Sequence, residues 1–264
     1  MSPSAKVAPL DLGTCMPHPS NRSAIDLFLE RLLSHSELDA AERDAVARLP
    51  ATRAEVAAHR DVVRLGEVVD HACLLENGLL GRYGQTETGS RQFVSVHLPG
   101  DMADLHSLMV PQASVALTAL TASTVLRVPH RALREVGLRY PAIAAAFWRD
   151  CVIHAAIVSQ WLVNVGRRDA RSRLAHLLCE MAVRSGHMRP APALRYSLPM
   201  TQDQLGDALG LTSVHVNRTM SALRDDGLIA GSRGVIEILD WPALAAAAEF
   251  DAGYLSLDEE AALA

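Results

Sequence analysis

Helical spacing starts the ordered pattern. Over residues 24–33, Ile25, Phe28, Leu29 and Leu32 fall on one face. The acid-rich stretch SELDAAERDAVARL follows, where Ser36 with Asp39 three residues on predicts the N-cap of a short second helix. Between residues 51 and 130 the pattern shortens to runs of Val, Leu and Thr broken by Gly66, Gly78, Gly81, Gly84, Gly89 and Gly100. VVRLGEVVDHACLLENGLLGRY predicts strand, turn, strand, turn, strand, and GQTETGSR predicts a polar hairpin tip ahead of the alternating QFVSVHL. SVALTALTASTVLRVP is read as a second alternating stretch, with Leu117/Ala119 and Thr118/Leu120 on opposite faces. Many short strands with glycine turns and no intervening helix suit a jelly roll or barrel rather than an α/β sheet.

Helical spacing returns from Pro141 to Val165. Phe147, Cys151, His154, Val158, Trp161 and Val165 recur at alternating steps of four and three, a heptad-like seam. A helix of that length spans roughly 37 Å, and the seam is expected to pair two copies of the chain.

Residues 198–230 carry the strongest local pattern, LPMTQDQLGDALGLTSVHVNRTMSALRDDGLIA. Thr201 is the expected N-cap of a first helix, with Gln204 as its capping-box partner. Gly210 ends that helix, and Thr212 caps a second, which turns Val216, Met220 and Leu223 inward. Ser213, Val214, His215, Asn217 and Arg218 then lie at its start and outer side. Such side chains match the major groove, where Arg reads guanine, Asn reads adenine and Val meets a thymine methyl. LIAGSRGVIEIL predicts two strands around a wing tip, with Arg233 as a phosphate contact; Asp240 and Pro242 then predict a closing helix.

The expected fold class is therefore α+β: a tail over 1–22, a jelly-roll sensor domain over 23–140, and a dimerisation helix over 141–166. A winged helix-turn-helix over 167–248 and an acidic tail over 249–264 complete the chain. Charge agrees once it is divided. The net of -5 hides residues 167–242, which hold ten Arg against eight acids. Their first residues include Arg167, Arg168, Arg171 and Arg173, with Arg171 the expected phosphate contact of the group. Cys15, Cys73, Cys151 and Cys179 lack any C-x-x-C spacing, so reduced thiols are expected rather than a zinc ribbon or cluster ligands. No G-x-S-x-G, P-loop, H-E-x-x-H or dinucleotide fingerprint marks an enzyme. No uninterrupted apolar run approaches the roughly 18 to 20 residues that cross a bilayer, and the N-terminus lacks a secretory h-region. A cytoplasmic protein without membrane contact is expected.

With these residues in place, the chain resembles the Crp-Fnr family of bacterial regulators over about residues 24–248. LLENGLLGRY, HLPGDMADLHSL, the helix at 141–165 and TQDQLGDALGLTSVHVNRTMSALRDDGLI carry the resemblance. It implies a homodimer on a palindromic operator, contact with RNA polymerase, and an effector in the β-domain that sets the DNA-binding state. The base contacts it implies fall on Ser213, Val214, His215, Asn217 and Arg218, although Ser213 and Val214 replace the family's usual Arg-Glu pair. The implied effector pocket is marked by Gly100, Asp101, Asp104, Leu105, His106 and Ser114.

That pocket departs from the cyclic-nucleotide pattern. Asp104 and Leu105 stand where a Gly-Glu pair meets the ribose, and Gln112, Ala113 and Ser114 stand where an Arg meets the phosphate. An unpaired phosphate in a pocket costs several kcal/mol. The expected effector is therefore something other than cyclic AMP or GMP, or there is none. A cAMP-responsive regulator, and a β-domain module using its winged helix for protein contact, are the alternatives. The iron–sulfur version of the family needs clustered N-terminal cysteines, and here Cys15 stands alone. His97 and His106 bracket the LPGD turn and His71 precedes it, so haem or metal sensing is chemically reasonable there. Satisfied core histidines are the stronger expectation, and no cofactor or metal is assigned. Activator and repressor roles both stay open.

Overall fold

The computed structural model describes residues 23–186, 194–232 and 234–255. The tail at 1–22, Arg233 and most of the acidic stretch at 249–264 therefore lie outside the described residues. Helix α1 (Ala24–Leu33) is closed by a capping box between Ser23 and Asp26 and buries Ala24, Phe28 and Leu32. Helix α2 (Ala40–Ala47) starts one position after Asp39, which accepts from the Glu42 N–H while Glu42 reaches back. The cap is thus Asp39 and not Ser36, whose hydroxyl meets Arg149 at 3.3 Å.

Seven strands follow: β1 (Thr52–Val56), β2 (Asp61–Val63), β3 (His71–Asn77), β4 (Leu80–Gln85), β5 (Arg91–His97), β6 (Ala116–Ala119) and β7 (Ser123–Pro129). They form two antiparallel sheets, ordered β1-β7-β3 and β2-β6-β4-β5. Val63, Leu80, Leu117 and Ala119 from one sheet share a core with Cys73, Leu75 and Val125 from the other. This is the expected jelly-roll sandwich. One reading changes: SVALTALTASTVLRVP is two strands, with a bend at 120–122 carrying the chain from one sheet to the other. Strand β6 is buried along its whole length, so alternation there does not separate core from solvent.

Helix α3 (His130–Arg139) was not marked by the sequence pattern. It stops at Tyr140 because Pro141 disfavours helical backbone in the preceding residue, which adopts φ -127° and ψ 92°. Pro141 then opens helix α4 (Pro141–Arg167), 27 residues long. By length and mean hydropathy, 1.4, α4 could cross a bilayer, a property that a search for uninterrupted apolar runs overlooks. Its apolar residues instead divide between a buried and an exposed face, described below.

The C-terminal half comprises α5 (Ala170–Arg184), β8 (Leu194–Ser197), α6 (Gln202–Leu209), α7 (Ser213–Asp225), β9 (Ile229–Ala230), β10 (Val235–Ile238) and α8 (Trp241–Ala248). The two wing strands are joined by β8 in a sheet of order β8-β10-β9. This half packs on the β-domain, and Phe93, Val96 and Leu120 share one core with Leu177, Met181, Leu205 and Leu209. Polar contacts fix the docking: Gln204 Nε2 donates to the Leu120 carbonyl at 2.8 Å and Gln92 Nε2 to the Ala208 carbonyl at 3.0 Å.

Candidate DNA interface and sensor cavity

The helix-turn-helix is built from local caps. Thr201 and Gln204 close the capping box that opens α6. Gly210, at φ 64°, ends that helix in the left-handed conformation that favours glycine. Gly206 is needed for a second reason: a Cβ there would lie 2.5 Å from the Leu211 carbonyl oxygen, so the turn can close this tightly only on glycine. Thr212 then accepts from the His215 N–H at 3.2 Å and starts α7.

Val216, Met220 and Leu223 are buried beneath α7, while Val214, Asn217 and Arg218 are exposed on it. Ser213 and His215 are half-buried at its first turn. Ser221 and Arg224 extend the outer face and were not singled out from the sequence, although their spacing of three and seven from Arg218 and Asn217 would have found them. Among the described residues neither Arg218 nor Arg224 makes an ion pair, so both guanidiniums are available to a ligand.

The arginines at the start of this half behave differently. Arg171 is ion-paired with Asp226 at the C-terminus of α7. Arg173 donates to the carbonyls of Arg168 and Leu209 at 2.8 and 3.0 Å, and Arg168 lies beside Glu249. Much of the basic run is therefore spent on internal ties. Arg233 lies outside the described residues.

Helix α4 carries two apolar stripes. Ile143, Phe147, Asp150, Ile153, Ile157, Trp161 and Asn164 face the protein's own interior. Phe147 and Trp161 are only 5% exposed, Phe147 stacking on Phe28 and Trp161 donating to Glu180. These two expected seam residues are thus core residues of the single chain. Trp148, Val152, Ala155, Ser159 and Leu162 make the exposed stripe, with Trp148 at 71% and Leu162 at 76%. Sequence periodicity does not say which stripe of a helix meets its own sheet, and at Phe147 and Trp161 the heptad positions do. Val158 lies at the border, 37% exposed.

Between α4 and the β-domain lies a cavity of about 190 Å³. Arg82 from β4, Ser95 from β5, and Cys151, His154 and Val158 from α4 line it together with Leu105 and His106. Arg82 Nη2 is 3.2 Å from His106 Nε2. Burial, and after it Arg82, lowers the His106 pKa to about 4. Burial, and after it Asp150, pushes the Cys151 thiol up to about 11, which keeps it protonated and unreactive.

Of the expected effector residues, Leu105 and His106 reach this cavity. Gly100 makes the turn and packs against Leu27. Asp101 faces a buried ion network, with Oδ1 2.7 Å from Arg31 and Oδ2 2.7 Å from Arg184. Burial opposes its charge, yet the two guanidiniums hold its pKa well below the usual carboxylate range. Asp104 accepts from the Cys73 N–H at 2.6 Å, and Ser114 is exposed outside the cavity. Cys151 and His154, expected on the seam, line the cavity in the single chain.

Comparison with known proteins gives two matches in chain order. Residues 53–140 match the family described as cyclic nucleotide-binding domain, and residues 172–247 match the Crp-like helix-turn-helix domain. The chain belongs to the Crp-Fnr family of transcription regulators. Its relatives include an anaerobic regulatory protein of Pasteurella multocida, 24% identical over 88% of this chain and 83% of that one. The transcriptional activator FnrL of Cereibacter sphaeroides is 27% identical over 68% of this chain and 73% of its own length. FixK2 from Bradyrhizobium japonicum has the same fold, with a TM-score of 0.64 and 24% identity over 74% of this chain and 96% of that one.

As a Crp-Fnr regulator the chain binds DNA through its helix-turn-helix. Its cavity does not fit the nucleotide after which the β-domain family is described. Asp104 gives one carboxylate oxygen to the Cys73 N–H and does not line the cavity, and Leu105 offers a ribose nothing but apolar surface. Gln112 and Ser114 are exposed and away from the cavity wall. The volume is also below the roughly 300 to 1,000 Å³ of ordinary small-molecule pockets. The cation at this wall, Arg82, comes from the expected strand β4, but nothing in its local pattern marks it as a pocket residue.

Proposed function

We propose that this regulator is a homodimer that reads a palindromic operator through α7. Its β-domain cavity answers to a small effector other than a cyclic nucleotide, or stays unliganded. The observation that carries the reading is the outer face of α7, where Val214, Asn217 and Arg218 are exposed while Val216, Met220 and Leu223 anchor the helix from beneath. The chemistry is that of major-groove readout. Thr201 and Thr212 sit at the N-termini of α6 and α7, where backbone N–H groups and the helix dipole favour phosphate. The exposed stripe of α4 supports the dimer, since two such helices would set two recognition helices on half-sites one DNA turn apart. The protein acts by binding rather than catalysis, works in the cytoplasm, and engages RNA polymerase when bound.

Selection of bound DNA from a random pool, without added cyclic nucleotide, tests this directly. A two-fold symmetric consensus is expected, with half-sites about 10 base pairs apart centre to centre. A consensus recovered only with cyclic AMP would overturn the effector reading. No enrichment under either condition would favour a winged helix that contacts protein.

A further inference from the structure

Behind the cavity wall, the buried His97 and the half-buried, wall-lining His154 face one carboxylate. His97 is fully buried on β5, its Nε2 3.2 Å from the Ser95 hydroxyl and its Nδ1 without a hydrogen-bond partner. His154, on α4, has its Nδ1 3.0 Å from the Asp150 carbonyl, while its Nε2 is also buried and unpartnered. The two rings lie 5.4 Å apart between centroids. The candidate ligand atoms of His97, His154 and Asp101 all fall within 4.8 Å of one another.

The carbonyl acceptor selects the His154 tautomer, and the Ser95 hydroxyl can accept from His97 in the matching one. A proton on His154 Nδ1, donated to the Asp150 carbonyl, leaves the lone pair on Nε2. A proton on His97 Nε2, donated to Ser95, leaves the lone pair on Nδ1. Metal-bound histidines are held in this way, by donation from the other ring nitrogen to a neighbouring acceptor. Two unpartnered nitrogens in a dry interior are costly with nothing between them.

Asp101 completes the set. Its Oδ2 lies 3.7 Å from His97 Nδ1, too far for a hydrogen bond. Arg31 takes Oδ1, while Arg184 and the Leu98 N–H take Oδ2. A carboxylate has about four lone-pair sites, two on each oxygen; Arg184 and Leu98 occupy both on Oδ2, so the open one is on Oδ1 beside Arg31. The linked network joins Asp101, Asp150 and Glu180 to Arg31 and Arg184, which leaves negative charge in excess when both rings are neutral. An added cation offsets that excess.

We propose that His97, Asp101 and His154 form a binding site for a divalent transition-metal ion, with a coordination position open toward the cavity. Two imidazoles and a carboxylate suit Zn²⁺, Fe²⁺ or Co²⁺ better than Mg²⁺ or Ca²⁺, which prefer oxygen. His154 and Ser95 also line the cavity, so a small ligand entering it would meet the metal. The inference does not depend on the DNA reading, because metal can be measured on the free protein.

The test is a titration of the full-length, chelator-stripped protein with Co²⁺, followed by visible absorbance and metal analysis. One Co²⁺ per chain is expected, with d–d bands of low-symmetry coordination that vanish on adding Zn²⁺. His154→Gln should weaken binding by roughly 100-fold or more, beyond the loss expected from a group that only hydrogen-bonds to a metal ligand. His71→Gln, at a ring paired with Asp70 outside the triad, should bind as the parent does. Proton NMR of the Co²⁺-loaded parent gives a reading without a variant, and paramagnetically shifted ring signals from two histidines are expected. Absence of bound Co²⁺, equal binding by a folded His154→Gln protein, or no shifted histidine signals would each overturn the assignment.

Discussion

Arg184 reaches from α5 to the turn after β5, where its Nη2 lies 2.7 Å from Asp101 Oδ2 and 2.8 Å from the Val96 carbonyl oxygen. Its Nη1 holds Glu180 at 3.1 Å. The guanidinium thus ties the DNA-binding half to the β-domain through a pair that is 5% and 4% exposed. Removing one partner of such a pair strands a buried charge, at about 3–5 kcal/mol. Arg184→Met should lower the unfolding free energy by that amount in a denaturant titration. Arg131→Met, which breaks an exposed pair with Glu135, should leave the midpoint unchanged. Equal midpoints for both variants would show that the buried pair does not hold the halves together.

Arg218 is exposed and makes no ion pair among the described residues, so its loss should leave the fold intact. Arg218→Ala is expected to weaken operator binding by about 1–3 kcal/mol per half-site and relax specificity at one base position. Arg171→Ala breaks the pair with Asp226 instead. Any phosphate contact it makes would register as a uniform loss with a shallower salt slope. A gel-shift series over salt concentration separates the two, and an Arg218→Ala protein with parental operator affinity would displace α7 from the groove.

His176 lies buried on α5 between Phe250 and Tyr254, and burial, followed by nearby Arg168, lowers its pKa to about 4. An unfolded histidine titrates near 6.5. Between these values the unfolded chain binds a proton that the folded one refuses, so stability falls as pH drops from about 6.5 to about 4. The loss is on the order of 3 kcal/mol. His176→Phe cannot take up that proton in either state, and its unfolding free energy should change less over this interval. A slope equal to the parent's, measured by urea unfolding at several pH values, would assign the effect to other groups.

What was legible in the sequence was local. Thr201, Gln204, Gly210 and Thr212 act within a few residues of themselves, and each holds the place its spacing predicts. The strands from Asp61 to His97 were likewise readable from their turns. Asp39 caps the helix in place of Ser36 because Glu42 completes its capping box. The cavity was not legible, since Arg82, Ser95 and His154 come from two strands and a helix up to 72 positions apart, joined only by folding. Nor was the phase of α4, where Phe147 and Trp148 are adjacent in sequence but face opposite environments.

That phase sets the last prediction. If the stripe of Trp148, Val152, Ala155, Ser159 and Leu162 is the seam, a charge within it should split the dimer. Leu162→Glu adds a carboxylate at a site 76% exposed in the single chain, so it carries little cost for a monomer and a large one for a buried interface. Sedimentation velocity should show the variant at half the parental mass, with operator affinity reduced as the half-sites lose their linkage. Phe147→Ala should act the opposite way, lowering stability by about 3–5 kcal/mol through a core cavity without first dissociating the protein. A parent that sediments as a monomer, or a Leu162→Glu protein that stays dimeric, would move the interface off this face of α4.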